Sequence, residues 1–190
     1  MTRNVVAVSR VPLQPWRNGG GSTRELLAWP QAAGWRLRVS VATIAQDGPF
    51  SAFPGIGRWF TVISGAGVLL ALPGGEQRMT PETRPLQFDG AAAPGCRLIA
   101  GPTDDLNLMA ASSAMTAGTA TMWRAAQDHP MLPGSQWRGV FAADAAQVHA
   151  GTQAVTLQAG SLLWTDSAEA LTETWQLLQP TRAWCMELRA

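Results

Sequence analysis

The chain has 190 residues, a net charge of +1 and 14% charged side chains. That length suits one compact unit or two small lobes, and so low and balanced a charge leaves no electrostatic footprint for nucleic acid or an anionic membrane. All 14 basic residues are Arg, with no Lys, which excludes Schiff-base chemistry and the Walker phosphate loop and leaves Arg, a bidentate partner for carboxylates, as the only fixed cation.

No apolar run approaches the roughly 20 residues of a membrane span. The start, Met1-Thr2-Arg3-Asn4, lacks the apolar core of a signal peptide. Cys96 and Cys185 are the only cysteines, which fits a reducing compartment and two small buried thiols. The expected location is therefore cytoplasmic.

Val5-Val6-Ala7-Val8 opens as a β-branched run, and Pro12 and Pro15 keep the next segment extended. Trp16-Arg17-Asn18-Gly19-Gly20-Gly21-Ser22-Thr23-Arg24-Glu25 follows, with an indole, guanidinium groups, an amide, a hydroxyl and a carboxylate around three glycines. Two readings stay open. One is a loop that carries a site, because backbone without Cβ atoms lets N–H groups approach a ligand or strand. The other is a turn and a short helix, capped by Ser22 and Glu25 and ended by Pro30.

Trp35-Arg36-Leu37-Arg38-Val39-Ser40-Val41 alternates like a half-buried strand, with Arg36, Arg38 and Ser40 on one face. Asp47–Gly55 reads as a turn-rich loop. Strands are expected at Arg58–Ile63, Val68–Leu72, Leu86–Phe88, Cys96–Ala100 and Asp105–Met109. Small residues from Ala110 to Gly118 read as a connection. The second half repeats the rhythm at Ala120–Trp123, Trp137–Ala142, Gln147–Ala150, Val155–Leu157, Leu162–Trp164, Trp175–Leu178 and Trp184–Leu188, with one short helix near Ser167–Thr172. This spacing predicts an all-β protein of two barrel lobes: 1–110, a connection at 111–118, and 119–190. Whether residues 1–30 complete the first lobe or cross to the second stays open.

His129 and His149 are the only histidines, and neither has a partner at ligand spacing, so neither a metal nor any other cofactor is expected. No nucleophile elbow or Cys–His arrangement is present. What remains is a polar set in the first half: Asn18, Thr23, Glu25, Arg36, Arg58, Asp105 and Asn107. Converging inside a barrel, these groups suit a small anionic metabolite with an amide or formyl group.

Trp16-Arg17-Asn18-Gly19-Gly20-Gly21-x-Thr23-x-Glu25, Gly48-Pro49-Phe50-Ser51-x-Phe53-Pro54-Gly55-Ile56-x-Arg58, Phe88-x-Gly90 and Gly101-Pro102-x-x-Asp105-Leu106-Asn107-Leu108-Met109 occur in this order. With Trp35-Arg36-Leu37 onward, they make the first 110 residues resemble the HutD/Ves family of bacterial proteins. The second half resembles that family only in strand pattern. The resemblance implies a double cupin, with two jelly-roll lobes in one chain. It also implies a role in histidine utilisation, by binding an intermediate such as formylglutamate or urocanate and limiting the pathway. Adding motif positions to the polar set gives Trp16, Arg17, Asn18, Thr23, Glu25, Arg36, Arg58, Asp105 and Asn107 as candidate binding residues. Three positions depart from the family pattern: Gly57 replaces an acidic neighbour of Arg58, Arg38 replaces a small residue, and Ala110-Ala111-Ser112 lacks an Arg. The alternative function is a metal-independent isomerase or lyase with Glu25 as general base, its pKa raised by burial. A homodimer is compatible with either.

Overall fold

The computed structural model describes residues 2–116, 118–127, 129–179 and 181–189. In chain order the strands are β1 (Asn4–Ala7), β2 (Gln14–Pro15), β3 (Gly21–Trp29), β4 (Leu37–Ile44), β5 (Gly48–Pro49), β6 (Ile56–Ser64), β7 (Val68–Leu72), β8 (Gly75–Met79), β9 (Leu86–Asp89), β10 (Gly95–Leu98) and β11 (Thr103–Ala111). Helix α1 (Ser112–Thr116) leads to β12 (Thr119–Arg124), β13 (Ser135–Ala142), β14 (Ala146–Ala150), β15 (Gln153–Leu157) and β16 (Ser161–Thr165). Helix α2 (Ala168–Leu171), β17 (Trp175–Leu177) and β18 (Ala183–Arg189) follow.

The unit Pro12–Ser113 holds two antiparallel sheets, ordered β2-β3-β4-β11-β6-β9 and β5-β10-β7-β8. Alternation along each strand sends one set of side chains between the sheets. Ile44, Phe60, Val62 and Phe88 from the first sheet meet Val68, Leu70, Met79 and Cys96 from the second in one buried cluster. Burying a side chain of this size contributes roughly 1.5–3 kcal/mol.

The other unit joins Met1–Val11 to Ala114–Ala190, with sheets β1-β16-β13-β18-β12 and β15-β14-β17. Val140, Leu163 and Cys185 pack there against Val148, Leu157, Trp175 and Leu177.

Two sequence-based expectations need correction. The lobe drawn at 1–110 loses its start, because β1 pairs with β16 from Asn4↔Trp164 to Ala7↔Ser161. The expected connection at 111–118 also begins inside structure: Ala111 ends β11, and the unit boundary falls after Ser113. Secondly, the helix reading of Ser22–Glu25 fails. These residues lie in β3, with β2 on one side and β4 on the other. Two neighbouring strands provide the backbone partners that a capping box supplies locally, so sheet pairing overrides the capping signal.

Candidate functional site

The glycine-rich motif is the hairpin turn between β2 and β3. Trp16 N–H donates to the Gly21 carbonyl at 2.9 Å and Gly19 N–H to the Trp16 carbonyl at 3.0 Å. Gly19 sits at φ +71°, in the left-handed region that favours glycine. The Asn18 amide oxygen accepts from Gly20 N–H at 3.0 Å, closing the turn. Gly21 is required for a different reason: a Cβ there would lie 2.3 Å from the Thr43 carbonyl oxygen and 3.0 Å from the Trp16 ring. The missing side chain lets Trp16 fold over β3, where its indole Nε1 donates to Thr23 Oγ1 at 2.7 Å.

That hairpin forms one wall of a cavity of about 710 Å³ within the Pro12–Ser113 unit, a volume typical of small-molecule sites. Strand register sets the opposite wall. Ala42 pairs with Asp105, Ser40 with Asn107, and Arg38 with Met109, which in turn pairs with Arg58. Directly paired residues share a face, and all seven line the cavity.

Arg58 is the centre of this arrangement, with only 5% of its surface exposed. Its Nη2 donates to Asn107 Oδ1 at 2.9 Å. Asn107 Nδ2 donates in turn to an Asp105 carboxyl oxygen, so the amide is held between that carboxyl and the guanidinium. The guanidinium carbon lies 5.2 Å from the ring centre of Phe50, 5.6 Å from Phe53 and 5.1 Å from Phe88. Such contacts contribute about 0.5–2 kcal/mol each, against a cost of several kcal/mol for burying an ion. Arg58 Nε and Nη1 are buried with no acceptor among the described residues. Two charge-bearing donors are thus left without an acceptor on a residue that borders the cavity.

The surrounding motifs build this cage. Phe53 N–H donates to the Gly90 carbonyl at 2.8 Å, and Phe50 N–H to the Pro94 carbonyl at 3.0 Å. A Cβ on Gly90 would stand 2.6 Å from the Phe53 carbonyl oxygen. Phe88-x-Gly90 and the Phe50–Phe53 loop therefore fit together only with glycine at position 90, and both bring rings to Arg58.

Burial dominates the electrostatics. It lowers the Arg58 pKa to about 10, against the opposing pull of Asp105 and with a further push from Arg38. Asp105, 1% exposed, is pushed up to about 8 by burial, against Arg58 and the Asn107 hydrogen bond and with a smaller push from Asp104.

Seven candidate residues line the cavity: Trp16, Arg17, Asn18, Thr23, Arg58, Asp105 and Asn107. Two do not. Arg36 precedes β4 and lies over the Trp29 ring, 5.4 Å from its centre. Glu25 accepts from Arg38 Nε at 2.6 Å and is off the lining, so the cavity's own carboxyl is Asp105. Arg38, Ser40, Phe50, Ser51 and Phe53 line it as well. The alternation of residues 35–41 already put Arg38 and Ser40 on a polar face, and that was the usable signal.

His129 lies in the other unit beside Trp123, with ring centres 5.8 Å apart, and His149 is on β14. Among the described residues, no three His, Cys, Asp or Glu side chains are grouped to hold a metal ion. No helix among them is long and apolar enough to cross a membrane.

The other unit gives an internal comparison. Its β13 lies between β16 and β18 as β6 lies between β9 and β11, and it too carries a buried arginine, Arg138. Arg138 Nη1 donates to the Glu173 carbonyl at 2.7 Å, and Nη2 to those of Leu132 and Leu171 at 2.9 and 3.2 Å. The void lined by Met131, Val148 and Trp175 measures only about 10 Å³. Arg138 leaves only Nε without an acceptor and its chain takes both terminal nitrogens, whereas Arg58 leaves Nε and Nη1 and borders the cavity.

Two units in one chain, each a pair of antiparallel sheets around its own interior, define a double cupin in which the Pro12–Ser113 unit holds the cavity. The chain belongs to the HutD family, whose model matches residues 9–184 and so extends through both units. It is 35% identical over 104 residues to Protein Ves of Citrobacter koseri, covering 54% of each chain. It is 36% identical over 102 residues to an uncharacterized 21.2 kDa protein in the hutC 3' region of Pseudomonas putida, covering 52% of this chain and 53% of that one. The chain thus spans about half the length of these relatives. The solved structure of HutD from Pseudomonas fluorescens SBW25, in a formate condition, is 29% identical with a TM-score of 0.84, covering 99% of this chain and 98% of that one.

Proposed function

We propose that this chain is a cytosolic small-molecule-binding protein of histidine utilisation, whose cavity takes a carboxylate on Arg58. It would limit the pathway by holding an intermediate of the formylglutamate or urocanate type. The observation that carries this reading is the pair of buried, acceptor-less nitrogens on Arg58. Charge-assisted hydrogen bonds contribute about 1.5–3 kcal/mol. A carboxylate supplies the acceptors and the counter-charge that Arg58 lacks. Family membership and the relative in a hutC 3' region support the choice of pathway.

The test is a thermal-shift panel of histidine-pathway intermediates and other small carboxylates. A true ligand at 100 times its Kd stabilises the folded state by about 2.7 kcal/mol, a shift of several degrees for a chain of this size. A panel that moves the midpoint nowhere counts against the reading.

One observation favours a catalytic alternative: Asp105, a buried carboxyl in the cavity with a pKa pushed up to about 8. In that reading it takes the general-base role expected of Glu25. Turnover of a bound intermediate that disappears in Asp105→Asn supports it; binding without turnover in the unaltered protein removes it.

A further inference from the structure

Arg38 and Arg58 stand on one rung of the inner sheet face, separated only by Met109 on the strand between them. Two strand spacings place their backbones about 10 Å apart with both side chains on the same face. Like charges so arranged repel, and each guanidinium has one side-chain partner. Arg38 gives Nε to Glu25 at 2.6 Å. Arg58 gives Nη2 to Asn107, which leans on Asp105.

In both cases the partner occupies one edge and leaves the rest of the fork unused. Among the described residues, the terminal Nη1 and Nη2 of Arg38 donate to no protein acceptor, while Nε and Nη1 of Arg58 have none. Glu25 itself lies off the cavity lining, so it steadies the Arg38 head without filling the space in front of it. Met109, between them on the rung, also lines the cavity and adds an apolar side chain to that face.

We propose that Arg38 forms a second anion subsite facing Arg58, so that the cavity selects a short dicarboxylate over a monocarboxylate. One carboxylate lies on Arg58 inside the aromatic cage, the second on Arg38, and the linking carbons cross Met109. This rests on Arg58 being a carboxylate anchor. It goes further, because it names the residue that reads the ligand's second charge.

The experiment is calorimetric titration of the full chain with glutarate and with butyrate, in the unaltered protein and in Arg38→Ser, Arg38→Lys and Arg58→Gln. Near-UV circular dichroism establishes that each variant is folded. Glutarate is expected to bind at least about tenfold tighter than butyrate, the fold-change of one further charge-assisted contact. Arg38→Ser should bring the glutarate-to-butyrate ratio close to one, Arg38→Lys should keep most of it, and Arg58→Gln should weaken both ligands. Equal affinities in the unaltered protein, or a ratio unmoved by Arg38→Ser, overturn the second subsite and leave the Arg58 anchor standing. Failure of both ligands to bind overturns the anchor as well.

Discussion

Arg58 and Asp105 are joined through a single amide: Asn107 accepts from the guanidinium at 2.9 Å and donates to the carboxylate. The relay ties the buried cation to the Asp105 carboxyl without a direct ion pair. A direct bidentate pair would consume two of the guanidinium nitrogens; the relay consumes one, and Nε and Nη1 stay without an acceptor among the described residues.

Arg58→Gln removes the anchor and keeps a polar side chain. The affinity for a carboxylate ligand should fall by about 1.5–3 kcal/mol, the range for a hydrogen bond to a charged group. Titration calorimetry at constant pH reads this directly, and an unchanged Kd removes Arg58 from the binding site.

Asp105 makes stability depend on pH. Its carboxyl titrates near 3.8 in an unstructured chain and near 8 when folded, because burial disfavours the charge. Between those values the folded state holds a proton that the unfolded chain has released. The stability from this group is therefore full below about pH 4 and is lost as pH rises toward 8. Urea unfolding at pH 5 and pH 8 should show a smaller loss across that interval in Asp105→Asn than in the unaltered protein. Identical losses would place the pH sensitivity elsewhere.

Gly21→Ala tests the hairpin. Its new methyl group would meet the Thr43 carbonyl oxygen at 2.3 Å, and overpacking of this kind costs about 1–3 kcal/mol. Gly74→Ala is the control, since a Cβ there meets nothing within 4 Å. Thermal unfolding should separate the two clearly; equal midpoints would contradict the packing of Trp16 over β3.

The two buried arginines should separate binding from folding. Arg138 satisfies three backbone carbonyls, and each buried acceptor left without a partner costs about 1–3 kcal/mol. Arg138→Met is therefore expected to lower the urea midpoint while its folded fraction still binds ligand. Arg58→Gln is expected to do the reverse.

Much of this was legible in the sequence where short-range pattern decides the outcome. Alternation in Trp35–Val41 identified the face that carries Arg38 and Ser40, and Ser167–Thr172 brackets the observed helix at Ala168–Leu171. Position along the strand was harder. Arg36 shares the parity of Arg38, but β4 begins at Leu37, and one residue before that start its side chain lies over Trp29 instead of the cavity. Ser22-Thr23-Arg24-Glu25 matched a helix cap because a local pattern cannot show that β2 and β4 flank it. The aromatic cage was invisible for a similar reason. Phe50 and Phe53 share one loop and Phe88 lies on β9, and the close approach at Gly90 brings loop and strand together. The crossing of β1 to β16 spans more than 150 residues, a pairing that no local propensity encodes.

The most direct measurement is a crystal structure of this chain with the best ligand from the thermal-shift panel. The expected result is a carboxylate with oxygens about 3 Å from Arg58 Nε and Nη1, between the rings of Phe50, Phe53 and Phe88. A ligand bound elsewhere, or in this cavity with those two nitrogens still lacking an acceptor, would contradict it.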